Sequence, residues 1–273
     1  MKLVTMGNAL LYLGIATFMV VLLAAAEVAF RIGRRHEPRT PEPVRSQVVT
    51  IQAAMLGLLA LLLAFTLSMA ERRFSARRAL IVDEANAIGT TYLRAEFLPE
   101  PARSESREML RRYVDQRVAF YGAQSDEVQT LETTSAAQLL QAALWARATD
   151  TARANPESET TKLYVASLNE MIDLEGKRFA ALFATLPSTI VVLLVVVAVV
   201  AMASTGYSSG LTGRRGALAL RVVPALVGLA CAVVLDLDHP RLGLIRAPDV
   251  AMERVQNSVA KDASVEIDAD PVM

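Results

Sequence analysis

The stretch VVTIQAAMLGLLALLLAFTLSMA, from Val48 to Ala70, decides the fold. It is Leu-rich, uncharged and free of proline, and a bilayer core about 30 Å thick needs roughly 20 such residues in a helix. Charge is absent from 46 to 70 and again from 179 to 213, so a soluble fold would have to bury both runs completely. Working outward, Leu3 to Phe30 forms a first span with only Glu27 inside it. Its length exceeds the roughly 7 to 15 residues of a signal-peptide core, although Ala24, Ala25 and Ala26 would suit a cleavage site. Pro187 precedes a third span, Val- and Leu-dominated over Ser188 to Ser204, and such a run outlasts a strand of about five or six residues. Ala217 to Leu235, with Arg221 and Pro224, is a shorter fourth.

The remaining sequence reads as helical. After Ala70 the apolar period continues through Leu80, Ile81, Glu84, Ala85, Ile88, Tyr92, Ala95 and Leu98 until Pro99 and Pro101 stop it, so one helix runs from membrane into water. Three further stripes have amphipathic spacing: Leu110, Tyr113, Val114, Arg117, Val118 and Tyr121; Leu139, Leu140, Ala143 and Leu144; Leu168, Met171, Ile172, Glu175, Phe179, Leu182 and Phe183. Polar linkers are expected at Ser125 to Ser135 and Asn155 to Ser158. The expected class is an all-α membrane protein, four transmembrane helices with a helical extramembrane domain between the second and third. The segments are 1–70, 71–185, 186–236 and a C-terminal motif with an acidic, disordered tail over 237–273.

Composition excludes several functions. Among 273 residues the 28 basic and 28 acidic side chains balance, which gives no basic face for nucleic acid. Cys231 is the single cysteine, so there is no internal disulfide framework. With only His36 and His239, a histidine metal cage has no material, and no G-x-x-x-x-G-K, H-E-x-x-H or C-x-x-C occurs. Neither catalysis nor a cofactor is expected. Gly206-Tyr207-Ser208-Ser209-Gly210 does match a nucleophile elbow, with Asp236 and His239 following in hydrolase order. That motif demands a strand before it and a parallel sheet around it, and a Gly/Ser turn between two spans is the simpler reading.

Charges within spans are functional candidates because hydrocarbon penalises them. Glu27 and Arg221 lie near one membrane face and are a candidate ion pair between helices; the alternative is that each snorkels to the interface. On the second span Gln52, Leu59, Thr66 and Arg73 recur every seven residues, and Arg77 extends the line by a turn. Around a symmetry axis this stripe would supply a polar entrance, an apolar constriction and a ring of guanidinium groups that favours anions. Ordinary helix packing with interfacial arginines is the competing explanation. The pairs Asp83-Glu84 and Asp236 with Asp238 could contribute to a calcium site, but that ion needs six to eight oxygens and no EF-hand pattern accompanies them.

Three stretches, Gly57 to Thr66, Val82 to Thr90 and Leu235 to Gly243, resemble a bacterial bestrophin-like membrane family, with the resemblance covering most of 48–246. True bestrophins, more remotely similar, are pentameric chloride channels whose second helix lines the pore and whose second and third spans flank a helical extramembrane domain. The sequence departs from them in the pore neck, where Phe65 and Phe74 are the nearest aromatic equivalents. It departs also in the calcium clasp, of which Asp236 and Asp238 form only a fragment.

The expectation is therefore a homo-oligomeric, pentameric ion channel of the bacterial inner membrane, multi-pass, in contact with lipid and passing inorganic anions. Gln52, Leu59 and Thr66 would line the pore, and Arg73 and Arg77 its vestibule. The alternative is a membrane-anchored sensor or scaffold whose insert binds a ligand or partner. Orientation stays open: Arg31, Arg34, Arg35, Arg39, Arg45, Arg214, Arg215 and Arg221 favour cytoplasmic short loops, while bestrophin topology would place the insert and termini there.

Overall fold

The computed structural model describes residues 2–122, 127–213, 216, 218–239, 245 and 250–269. Arg214, Arg215, Pro240, Arg241, Arg246 and the start of the expected Ser125 linker lie outside them, as does the side chain of Tyr121. Among the described residues there are eight α-helices: α1 (Lys2–His36), α2 (Glu42–Ala95), α3 (Ala102–Gly122), α4 (Glu127–Ala154), α5 (Glu159–Phe183), α6 (Ser188–Leu211), α7 (Val223–Asp238) and α8 (Val250–Ala269). Four segments of the described residues, containing α1, α2, α6 and α7, are long and apolar enough to cross a membrane. No strand occurs among the described residues.

Local chemistry sets the helix ends. Ser158 caps α5, its hydroxyl accepting the Thr161 N–H at 3.2 Å. Pro187 starts α6, and Gly213 at φ +67°, a conformation L side chains resist, ends it. A π-helical turn over Leu218–Val222 leads into α7, where Pro224 supplies no N–H and cannot continue regular i to i−4 bonding. At 54 residues and 1.5 Å each, α2 is about 80 Å long, far more than one bilayer crossing.

The chain divides into two compact units. One comprises Thr5–Phe74 and Thr185–Ile245. Its core contains Leu22, Ala26 and Phe30 of α1, Leu59 of α2, Ala198 and Met202 of α6 and Cys231 of α7. Here Gly206 and Gly210 have a function that the sequence reading missed. They form a G-x-x-x-G seam inside α6, where an added Cβ would overlap the Ala26 and Phe30 carbonyls of α1, and Gly33 lies equally close to Tyr207. Small residues let two backbones meet in a medium that offers no hydrophobic drive for helix association. The nucleophile elbow is thereby excluded: Ser208 is buried in continuous helix, and there is neither a sharp turn nor a preceding strand. The expected Gly/Ser turn is also corrected, because helix runs through Leu211.

The other unit is built mainly from Ser75–Ala184 and α8. Ile81, Ile88 and Tyr92 of α2, Leu110 and Tyr113 of α3, Leu144 of α4 and Tyr164, Leu168 and Met171 of α5 form its core. Two expectations change. Helix α4 already begins at Glu127, and its buried line is Thr134, Ala137, Gln141, Leu144 and Ala148; Leu139, placed on the apolar stripe, is 73% exposed. The tail is ordered helix over 250–269, because Met252 and Val259 bury against the core and Gln256 donates to Asp115 at 2.8 Å.

Gly206→Val is expected to destabilise the unit by about 1–3 kcal/mol through overpacking, whereas Gly176→Ala, where an added methyl meets nothing within 4 Å, is neutral or slightly stabilising. Thermal melts followed by circular dichroism in detergent check both.

Candidate functional site

Helix α2 presents two faces in its membrane half. Leu59 and Thr66 are each 2% exposed, and Gln52 donates from Nε2 to Thr205 Oγ1 of α6 at 3.5 Å. The Thr66 hydroxyl is satisfied within its own helix by the Leu62 and Leu63 carbonyls at 2.9 and 3.1 Å. The line expected to face a pore thus holds buried Leu59 and Thr66 and the bond from Gln52 to α6. Arg73 is half-buried on that line. Arg77 is buried too, with Nη1 3.5 Å from the Ala184 carbonyl. The opposite face carries Ile51, Leu58, Leu61 and Phe65, the last two 52% and 60% exposed. Only 6% of the most apolar window of α2 is buried, against 39% for α7.

The remaining predicted groups are otherwise engaged. Glu27 pairs with Arg31 on its own helix at 2.9 Å, and Arg221 is exposed. Local pairing wins because residues four apart on a helix are neighbours. Asp238 accepts the Leu186 N–H through both carboxylate oxygens, at 3.0 and 2.9 Å, and Asp236 accepts the Ile245 N–H at 2.9 Å. These carboxylates tie backbone, and among the described residues no cluster of three or more His, Cys, Asp or Glu could hold a metal.

A buried charge cluster is the feature that the sequence reading did not assemble. Glu84 of α2 has no exposure and holds Arg117 Nε of α3 at 2.7 Å and Arg178 Nε of α5 at 2.6 Å. Glu175 of α5 adds a weaker contact to Arg117 Nη1 at 3.7 Å. Phe120 lies against both guanidiniums, 4.8 Å from Arg117 and 4.6 Å from Arg178, a favourable cation–π geometry. Tyr113 receives a hydrogen bond from Gln141 at 3.1 Å, and burial pushes its phenol well above the ordinary range. Two cations and two anions balance, as burial of charge requires. The signal was present in the sequence, since Glu84, Arg117 and Glu175 each sit on an otherwise apolar stripe.

A second polar knot closes α8 onto α2 and α3. Arg107, almost wholly buried, pairs with Glu96 and Asp262, stacks on Tyr92 at 4.8 Å and donates to its hydroxyl at 3.0 Å. A cavity of about 550 Å³ opens beside it, bordered by Leu93, Arg94, Phe97 and Asp262.

Arg117→Met leaves Glu84 and Glu175 short of a partner and is expected to cost about 3–5 kcal/mol, read in the same melts. Burial raises the Glu175 carboxyl above its usual 4.5, Glu84 adding to the rise and Arg117 opposing it. The folded protein therefore holds that proton more tightly than the unfolded chain. Its stabilising contribution is complete below about 4.5 and is lost as pH rises through the raised folded value. Glu175→Gln should remove this slope; a wild-type minus variant difference that is flat with pH counts against it.

With this geometry in place, comparison with known proteins is informative. Crystal structures of a bacterial bestrophin homologue from Klebsiella pneumoniae match the chain. One single-substitution variant gives a TM-score of 0.66 at 14% identity over 90% of this chain and 98% of that one. Another gives 0.65 at 14% identity over 91% and 98%. A third structure gives 0.63 at 15% identity over 90% and 97%. No curated protein matches the sequence. The bestrophin-like domain model matches residues 20–252, and the chain belongs to the bestrophin-like domain family.

Proposed function

We propose that the protein is a homo-oligomeric ion channel of a bacterial inner membrane, a pentameric ring in which the open face of α2 lines an axial pore. The observation that carries this reading is the asymmetry of α2. Its seam is fully used inside the protomer, while Leu58, Leu61 and Phe65 are left facing outward on the most apolar stretch of the chain. Membership of the bestrophin-like family supports the same reading. A pore face must be open in the single protomer, so the lining residues are moved by one position from the Leu59 and Thr66 line to Leu58 and Phe65, with Leu61 between them. Ala53, Gly57, Ala60 and Ala64 on the same open side are small enough for neighbouring copies of α2 to approach closely.

Such a constriction is apolar and gates by wetting rather than by binding. Selectivity would come from its mouth. Arg72 and Arg78 are exposed just past the apolar stretch and Arg73 is half-exposed, which outweighs Glu71 and favours anions.

Native mass spectrometry in detergent should give a closed ring of about five copies, and liposomes should pass chloride faster than potassium. Phe65→Ala is expected to raise the flux severalfold by widening the constriction, and Leu59→Ala to lower stability instead. A stable monomer or dimer, or unchanged flux in Phe65→Ala, sinks the pore assignment and favours the anchored sensor or scaffold.

A further inference from the structure

We infer that Glu84 is a positioning residue for permeation: by holding Arg117 of α3 and Arg178 of α5 it fixes the rotation of α2 about its own axis, and so decides which face of that helix is presented to the pore. This deepens the channel reading and rests on it.

Helix α2 is uninterrupted from Glu42 to Ala95. Eighteen residues separate Thr66 from Glu84, five full turns at 3.6 residues each, so the two share one face. Leu59, Thr66, Ala70, Arg77, Glu84, Thr91 and Ala95 are all buried along it. Apolar contacts on this seam are non-directional, and a Leu or Ala surface accepts a modest twist. The contacts of Glu84 do not. Its two oxygens meet two Nε atoms on two different helices at 2.7 and 2.6 Å, with exposures of 0% for Arg117 and 3% for Arg178. A shift of one residue, about 100° of rotation, would remove the carboxylate from the core. Both short contacts to Glu84 would then be broken, and the contact of Arg117 to Glu175 is longer, at 3.7 Å. In the membrane half, Gln52 on this seam donates to Thr205 of α6 at 3.5 Å, a weak bond by comparison.

That weak bond supplies a readout independent of conduction. In a Cys231→Ser background, the pair Gln52→Cys with Thr205→Cys should cross-link on mild oxidation, and Ile51→Cys with Thr205→Cys should not, because Ile51 faces outward. Adding Glu84→Gln is expected to lower the ratio of the two yields at least fivefold and chloride flux at least fivefold, with subunit stoichiometry retained. Arg178→Lys, which keeps a cation on the carboxylate, should preserve the wild-type ratio. A purely structural role would lower the melting temperature and leave the ratio unchanged, and that result in an assembled Glu84→Gln protein overturns the inference. If Glu84→Gln does not assemble, Arg178→Gln removes only one of the two ties; a shift in the same direction supports the inference and an unchanged ratio overturns it. Should wild-type liposomes pass no ions, the channel reading fails on flux, while the cross-linking ratio still decides whether Glu84 sets the rotation of α2.

Discussion

A carboxylate with no exposure to water, Glu84, holds guanidiniums from two other helices, and the extramembrane unit is organised around that contact. Burial of four charges is tolerated because each is met by opposite charge and because Phe120 presents its ring to both arginines. Such a cluster is a poor source of net stability compared with a well-packed apolar core. Its value lies in direction: an ion pair works in one register, whereas Leu against Leu works in several.

The membrane unit is held by a different physics. Helices in lipid gain little from apolar contact as such, so close backbone approach matters more. Gly33, Gly206 and Gly210 provide it between α1 and α6, and Asp238 fastens the entry of α6 by accepting the Leu186 N–H. With α1, α6 and α7 packed in this way, one side of α2 is buried and the other, with Leu58, Leu61 and Phe65, is exposed. That exposed apolar face is the one the proposed ring of copies would use.

The seven-residue line on α2 shows how the two levels of description meet. Its period was legible because a helix brings such residues into register. Its direction was not, because a line of Gln, Leu, Thr and Arg serves equally as a pore face or as a packing seam. Thr66 illustrates the ambiguity: a threonine hydroxyl bonds backward to its own helix, here to Leu62 and Leu63, and so needs neither water nor ion. The same holds for Gly206 to Gly210, whose spacing suits a catalytic turn and a helix seam alike until a neighbouring helix is seen against it.

Sequence by itself determined the class of this protein, its four apolar spans, the helical insert, the passage of α2 beyond the bilayer and the family. Each follows from hydropathy, period or local motif, quantities that a linear chain carries. Tertiary structure decided which face of α2 is open, that Asp236 and Asp238 accept backbone N–H groups, that 250–269 folds onto the insert, and that Glu84, Arg117, Glu175 and Arg178 meet. These depend on pairings between residues far apart in the chain, and a one-residue rotation of a helix, invisible to any periodicity, exchanges one outcome for another.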